Sequence, residues 1–229
     1  MLRDSALAVQ SDASTVLQYV RAYVPESCPS KRLARRLAVN RRIIDWFAQA
    51  LSRFRMPPGP AIELGCGPGA YLDVWRRPRE RFVTGADIRE PFVRHVAQNH
   101  PHAAALLCDA LDPPFRAHSF ALVAAINLLD ATPEPWVLLG QMDALLMPGG
   151  ICAIALPYSA NFAGPADLFA ALAGNGPQLQ YLSYSILDSK DWLPWVLPAS
   201  ERHVHEYSVH ALIARKESLM KPAGGCDQT

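Results

Sequence analysis

The chain has 229 residues, of which 50% are apolar, so it can bury one sizeable hydrophobic core, and we expect a single domain spanning residues 1–229. Lys and Arg total 22 against 21 for Asp and Glu, and the net charge of +1 argues against a nucleic-acid partner or an anionic membrane surface. The five cysteines form no CxxC pair and no stretch approaches the ~20 apolar residues of a membrane-spanning helix, so we expect a cytoplasmic protein without a zinc site.

The first 57 residues are predicted to form a helical cap of two or three helices. The helical spacing is carried by Val16, Tyr19, Val20, Val24, Leu33, Leu37, Ile43, Ile44, Phe47 and Leu51. A basic stretch between residues 31 and 42 would suit an acidic substrate. A solvated helix face is the simpler interpretation, because Asp and Glu elsewhere in the chain balance its charge.

Short apolar runs alternate with helical patterns after the MPPGP segment at residues 56–60. The predicted strands lie near 60–64, 82–86, 104–108, 120–126 and 151–156, and the predicted helices lie near 69–76, 91–99 and 134–146. This order predicts a core at residues 58–157 with a parallel sheet in a doubly wound α/β fold. The pattern loosens in the carboxyl-terminal segment, residues 158–229, until an apolar run at 207–214 predicts a closing strand.

A glycine-rich turn joins the first predicted strand to a helix in the segment AIELGCGPGAY, residues 61–71. Glycine permits positive φ and close backbone approach, so a nucleoside or carboxylate ligand can lie against the turn and the helix amino terminus. Nicotinamide dinucleotide enzymes use a GxGxxG turn, whereas this turn is GxGxG and contains a proline. The turn therefore predicts a cofactor loop and disfavours a nicotinamide oxidoreductase.

Two carboxylates follow the next two predicted strands. Asp87 ends the second strand, where it can accept hydrogen bonds from both hydroxyls of a ribose. Asp109 follows the third strand, where it can meet an adenine amino group, although in isolation it would be interpreted as a turn cap. The segment Pro-Gly-Gly at 148–150 then predicts a tight turn into the fifth strand.

Together, these four features resemble the motifs of the class I S-adenosylmethionine-dependent methyltransferases over roughly residues 58–157. The resemblance implies a Rossmann-like α/β sandwich whose mostly parallel seven-stranded sheet carries helices on both faces. It also implies a methyltransferase that uses S-adenosyl-L-methionine and releases S-adenosyl-L-homocysteine. In that family, Glu63 and the glycines border the methionine moiety, Asp87 binds ribose and Asp109 flanks adenine. The implied cofactor site comprises Glu63, Gly65, Cys66, Gly67, Gly69, Asp87, Ile88, Asp109, Ala110 and Asn127.

The segment NLLDATPEP, residues 127–135, follows the fourth strand on the face where the methyl group would emerge, so we expect it to touch the methyl acceptor. With the Leu-Pro-Tyr element at 156–158, it resembles the DREV-type protein-histidine N-pros-methyltransferases and the methyltransferase module that completes ovothiol. The Leu-Pro-Trp element at 193–195 and the last strand resemble the carboxyl-terminal part of the DREV family, where a tyrosine replaces Trp195. The resemblance implies a His-containing peptide or small-molecule acceptor that contacts Asn127, Asp130, Tyr158, Trp195 and Tyr207.

Asp130 and Asn127 are the candidate catalytic residues for an imidazole acceptor. A carboxylate that accepts the N–H of one ring nitrogen fixes the tautomer and stabilises the imidazolium that forms as the other nitrogen is methylated. Asp130 suits this role, and the Asn127 amide can orient the ring because it donates and accepts together. Alternatively, Asp130 caps the next helix.

The sequence is also compatible with other functions. The acceptor could be an oxygen, nitrogen or carbon atom of a small metabolite, or the chain could be a non-catalytic partner subunit that binds the cofactor. His203, His205 and His210 lack a third ligand at convincing spacing, so we predict no metal site. The His203-Val204-His205 element could itself be a methyl acceptor.

Overall fold

The computed structural model describes residues 13–76, 81–158, 165–175 and 182–217. Its helices are α1 (Ala13–Tyr23), α2 (Lys31–Leu37), α3 (Arg41–Ser52), α4 (Leu72–Trp75), α5 (Glu90–Asn99), α6 (Pro135–Leu145) and α7 (Pro165–Leu172). Its strands are β1 (Ala61–Leu64), β2 (Val83–Asp87), β3 (Ala103–Leu107), β4 (Phe120–Ile126), β5 (Leu146–Pro157), β6 (Tyr184–Pro198) and β7 (Val204–Lys216). Within the described ranges, no helix has the length and apolar character needed to cross a membrane.

The strands form one seven-stranded sheet in the order β3-β2-β1-β4-β5-β7-β6. Strands β1 to β5 pair in parallel, and β7 runs antiparallel to both β5 and β6. One apolar layer packs α3, α4 and α5 on the sheet, and a second packs α6 and α7 on the opposite face. The expected α/β sandwich with a mostly parallel seven-stranded sheet is therefore confirmed.

The central strand β4 shows why this sequence forms a parallel strand. All seven residues of its sequence FALVAAI are buried. Leu122 and Ala124 belong to the layer under α3, whereas Val123 and Ala125 belong to the layer under α6. A parallel strand that is covered on both faces needs such a continuous apolar run rather than an alternating one.

The sequence placed β1 to β4 within one residue of their observed ends, and it placed the closing strand within β7. Strand β5 begins at Leu146, five residues earlier than predicted, because Leu146 already pairs with Phe120 ahead of the Pro-Gly-Gly segment. Strand β6 and helix α7 were not predicted. Most side chains in the first half of β6 are exposed or half-buried at the sheet edge, so this segment shows no apolar alternation in the sequence. The prolines of β6 also argue against a strand when only the sequence is considered.

A buried asparagine attaches α1 to the sheet. The Asn40 amide donates to the carbonyl oxygens of Ala22 and Val196, each at 2.7 Å, and accepts from the Val196 N–H at 2.6 Å. Only 1% of Asn40 is exposed, so water cannot replace these bonds. Helix α1 is thereby held against the edge strand β6.

Replacing Asn40 with Ala should lower the free energy of unfolding by about 3 kcal/mol, because it leaves three buried backbone groups without partners. Urea denaturation followed by circular dichroism measures this change. The matched control is Asn99→Ala, which removes an exposed asparagine from the end of α5 and should change stability by less than about 0.5 kcal/mol. Equal stability of the two variants would contradict the proposed anchoring role.

Candidate functional site

A cavity of about 400 Å³ opens at the carboxyl ends of β1, β2 and β4. The strand order reverses between β1 and β4, and in open α/β sheets this switch point is where ligands bind. All predicted cofactor residues except Gly69 line the cavity. The structure therefore brings the glycine loop and both downstream carboxylates to one site.

Two glycines of the loop are required for different reasons. Gly65 has φ +66°, and a Cβ there would lie 2.7 Å from a methyl carbon of Leu128, so a side chain would strain the backbone and displace Leu128. Gly67 has φ +51°, and apart from its chain neighbours no described residue would lie within 4 Å of a Cβ there. Because Gly67 also lines the cavity, its bare Cα leaves space that a ligand can occupy.

Asp87 holds the glycine loop in place. Its Oδ2 accepts the Gly67 N–H at 2.9 Å, and its Oδ1 accepts the Arg89 N–H at 2.9 Å. Only 6% of Asp87 is exposed. Each carboxylate oxygen can accept a further hydrogen bond, so Asp87 can support the loop and bind ribose hydroxyls together.

Gly69 is the one residue of the loop segment 65–70 that does not line the cavity. A Cβ on Gly69 would lie 2.8 Å from the His100 Nε2 atom, so Gly69 packs behind the loop instead of lining the site. The same His100 nitrogen lies 3.0 Å from the Pro68 carbonyl oxygen. His100 therefore braces the loop from outside.

The region around Asp109 suits a flat base. Asp109 is exposed, and its Oδ1 accepts the Leu111 N–H at 2.9 Å, which is the turn-capping role considered from sequence. It also lines the cavity beside Ala110 and Ile88, and Ile88 is 64% exposed. The carboxylate can accept a hydrogen bond from the amino group of a base, and the two apolar side chains can pack against the ring of that base.

Glu63 is a buried carboxyl on β1, just before the glycine loop. It is 1% exposed, and the Trp75 indole N–H donates to its Oε2 at 2.8 Å. Burial raises the pKa of Glu63 to about 8, against the opposing effect of Trp75, and the nearby Asp87 raises it further. At pH 7 the carboxyl is therefore neutral unless a bound cation stabilises its charge.

Asn127 is strained and unpaired at the end of β4. Its φ is +53°, which is unusual for a residue other than glycine, and its N–H donates to the Ala155 carbonyl oxygen at 2.6 Å. Both polar atoms of its side-chain amide are buried and have no hydrogen-bond partner among the described residues. Strain and unpaired polar atoms concentrate at functional sites, and Asn127 lines the cavity.

Only some of the other residues predicted to contact the acceptor line this cavity. Trp195 lines the cavity, whereas Asp130, Tyr158 and Tyr207 do not. Burial raises the pKa of Asp130, and its Oδ1 has no partner within the described part of the chain. Asp130 does not cap α6, because Glu134 occupies the N-cap position of that helix.

Tyr158 and Tyr207 make their contacts outside the cavity lining, apart from the contact of Tyr207 with Trp195. The Tyr158 hydroxyl donates to Asp191 in β6. Tyr207 is 38% exposed, and its ring lies 5.1 Å from the Trp195 ring. Contacts of either tyrosine with an acceptor stay a prediction.

Several aromatic residues that line the cavity were not predicted as site residues from the sequence. Tyr19 and Tyr23 on α1, Tyr71 after the glycine loop and Phe92 on α5 all line it. The Arg89 guanidinium lies 5.0 Å from the Phe92 ring centroid and 5.9 Å from that of Tyr19. The i,i+4 spacing of Tyr19 and Tyr23 places both rings on one face of a helix, and this spacing could have indicated an aromatic surface.

Residues 62–154 match the sequence model of a family described as "Methyltransferase domain". Over 135 residues the chain is 35% identical to a trans-aconitate 2-methyltransferase of Methylobacterium radiotolerans. The aligned part covers 57% of this chain and 50% of that enzyme, so the chain spans about half the length of this curated relative.

Solved structures share the fold at low sequence identity. The magnesium protoporphyrin IX methyltransferase of Synechocystis PCC 6803, crystallised with bound S-adenosylhomocysteine, is 14% identical with a TM-score of 0.64, covering 90% of this chain and 95% of that chain. A [4+2]-cyclase is 18% identical with a TM-score of 0.55, covering 77% and 80%. Because the same fold carries different activities, function must be argued from the site itself.

The Gly67→Ala variant should lose affinity for S-adenosylhomocysteine by at least about 10-fold, because its methyl group would enter the cavity. Its stability should fall by about 1–2 kcal/mol, which is the cost of a positive φ for alanine. Gly149→Ala is the matched control, since Gly149 also has positive φ (+76°) and open space among the described residues but does not line the cavity. Calorimetry should find normal binding in the control and similar stability in both.

Glu63→Gln should remove a pH dependence. Because the folded pKa of about 8 exceeds the ordinary 4.5, the stability of the native protein should fall as pH rises between these values and then level off. The variant should lose this dependence and be the more stable protein above pH 8. Binding of cationic S-adenosylmethionine should strengthen towards pH 8 in the native protein, and it should be weaker and nearly independent of pH in the variant.

Thermal unfolding and calorimetric titration from pH 5 to 9 measure both effects. The control is Glu90→Gln, which neutralises an exposed carboxylate on α5. If Glu63→Gln and the native protein had parallel stability profiles over this range, the assigned protonation state would be wrong.

Proposed function

We propose that this chain is an S-adenosylmethionine-dependent methyltransferase whose site is formed by residues 62–154 together with α1 and β6. The observation that carries the proposal is the convergence of the glycine loop, Asp87 and Asp109 on one cavity beside the unpaired Asn127 amide. The match of these residues to a methyltransferase domain supports the same assignment.

The cavity residues fit the parts of this cofactor. The slot between Ile88, Ala110 and Asp109 would hold adenine, and Asp87 would accept hydrogen bonds from the ribose hydroxyls. The space left by Gly67 would admit the methionine part, with Glu63 near its positive charges. When bound, S-adenosylmethionine supplies an electrophilic methyl group on a sulfonium.

The protein contributes position and exclusion of water to an in-line transfer of this kind. Tyr19 and Tyr23 on α1 and Trp195 on β6 cover the cavity with aromatic surface. Apolar walls keep competing water from the methyl group and strengthen the few polar contacts that hold the reactants. Asn127, with both amide atoms unpaired, can orient an acceptor or the cofactor at the end of β4.

The acceptor that we favour is a histidine imidazole, in a peptide or as a modified free amino acid. The motifs after β4 and β5 support this choice, and a neutral ring suits the aromatic walls. The alternative is another small metabolite, and the similarity to a trans-aconitate 2-methyltransferase supports that alternative. Among the described residues that line the cavity, Arg89 is the only cation, which is little charge for a tricarboxylate.

The decisive experiment is transfer of a labelled methyl group to His-containing peptides, free histidine derivatives and trans-aconitate, followed by location of the label. We expect label on an imidazole nitrogen. Label on a carboxylate or on another atom would assign a different acceptor. Absence of transfer to any compound, with normal binding of S-adenosylhomocysteine, would favour a non-catalytic cofactor-binding subunit.

The Asp130→Asn variant tests whether Asp130 takes part in methyl transfer to an imidazole. If Asp130 accepts the imidazole N–H, loss of its charge should reduce kcat at least about 10-fold and leave the affinity for S-adenosylhomocysteine unchanged. Asp112→Asn is the control, because Asp112 is an exposed carboxylate that does not line the cavity. Equal turnover of both variants would remove Asp130 from the mechanism.

A further inference from the structure

A bulge in the edge strand β6 presents two residues where a regular strand would present one. The register between β6 and β7 shifts between Lys190 and Leu193. Asp191 and Trp192 therefore stand opposite the single residue His210 of β7. Trp192 also has φ +58°, a conformation that is unfavourable for a large side chain. Bulges and strained residues persist where they aim particular side chains, and this bulge redirects Asp191 and Trp192.

The bulge brings the Asp191 carboxylate to Tyr158, which follows β5. The Tyr158 hydroxyl donates to the Asp191 Oδ1 atom, and the Trp192 N–H donates to the same oxygen at 3.0 Å. The other oxygen, Oδ2, has no hydrogen-bond partner within the described ranges of the chain. The Asp191 side chain is 34% exposed, so a ligand can reach the carboxylate.

The Asp191 charge has no lysine or arginine partner at ion-pair distance among the described residues. Its contact is with His210, whose Nδ1 lies 3.7 Å from the Asp191 Oδ1, which is too far for a hydrogen bond. His210 is 3% exposed, and neither ring nitrogen has a hydrogen-bond partner in the part of the chain that the structure describes. Burial lowers the pKa of His210 against the opposing effect of Asp191, so the ring is neutral at pH 7. The carboxylate therefore remains available to a cation from outside the chain.

Two aromatic rings flank this carboxylate. The ring centroids of Tyr158 and Trp192 lie 5.4 Å apart, and the ring planes meet at 64°. The rings therefore form two adjacent walls rather than a stack. Trp192 is 70% exposed, so most of its side chain is open to a ligand. Cations bind to the faces of aromatic rings, most strongly to indole, and a carboxylate at the same place adds a second attraction.

We infer that Tyr158, Asp191 and Trp192 form a binding site, the bulge site, for an organic ammonium ion. The carboxylate balances the charge, and the two rings contact the methyl or methylene groups next to the nitrogen. A metal ion needs more ligands, and the described residues contain no group of three His, Cys, Asp or Glu side chains that could hold one. None of the bulge-site residues lines the cavity, so the bulge site is separate from the proposed methyl transfer and does not depend on it.

Ligand-observed NMR titrations test the bulge site with choline and with its neutral isostere, in which a carbon atom replaces the nitrogen. We expect choline to bind at least about 10-fold more tightly, because only the charge distinguishes the two molecules. Saturating the protein with S-adenosylhomocysteine should leave choline binding unchanged. Equal binding of the two probes, or displacement of choline by S-adenosylhomocysteine, would overturn the inference.

The variants Asp191→Asn and Trp192→Gly should each weaken choline binding at least about 10-fold. Trp192→Gly should not lower the melting temperature, because glycine adopts a positive φ without strain. The matched controls are Asp112→Asn, which neutralises an exposed carboxylate, and Phe82→Ala, which removes a ring that is 61% exposed before β2. Each variant is an independent test, so failure of one to fold leaves the other decisive. Choline binding equal to that of the controls would remove the bulge site.

N-acetyl-L-lysinamide distinguishes two sources of the ammonium group, a lysine side chain of a peptide and a free quaternary ammonium compound. Tighter binding of this probe than of choline assigns the bulge site to a peptide, and tighter binding of choline assigns it to a free ligand. Either result supports the site if Asp191→Asn weakens binding of the preferred probe. Binding of neither probe to the native protein would show that the site does not exist.

Discussion

The hydrogen bond from the Gly67 N–H to the Asp87 carboxylate joins the ends of β1 and β2, and both residues line the cavity. It forms because two parallel neighbouring strands end at the same edge of the sheet, where a turn with an unpaired N–H meets an acidic side chain. The glycine loop can then follow a path with positive φ, with His100 bracing it from behind. The bond therefore connects the residue proposed to bind ribose with the glycine proposed to leave space for the methionine part.

Desolvation explains most of the chemistry that distinguishes the site. The same burial that keeps Glu63 protonated also leaves the Asn127 amide and the Tyr71 hydroxyl without partners among the described residues. These groups lower the stability of the protein alone, and a ligand of matching polarity restores the lost interactions. The site is therefore arranged for a charged ligand, and its stability and its binding affinity are linked through the same atoms.

The helices before the sheet determine how the cavity is closed. Helix α1 supplies Tyr19 and Tyr23, and it is held through the Asn40 amide to the edge strand that supplies Trp195. One buried side chain thus couples two walls of the site. Residues 62–154 line the part of the cavity proposed for the cofactor, and the segments outside them provide most of the aromatic surface.

The sequence alone determined the sandwich fold, the positions of β1 to β4 and the set of residues around the glycine loop. These features depend on local patterns: continuous apolar runs, a GxGxG turn and an acidic residue at a strand end. The convergence of Tyr23, Tyr71 and Trp195, the presence of β6 and the position of Asp130 outside the cavity were decided by the tertiary structure. They depend on which distant segments pack together and on how a loop curves, and neither leaves a periodic signal in the chain.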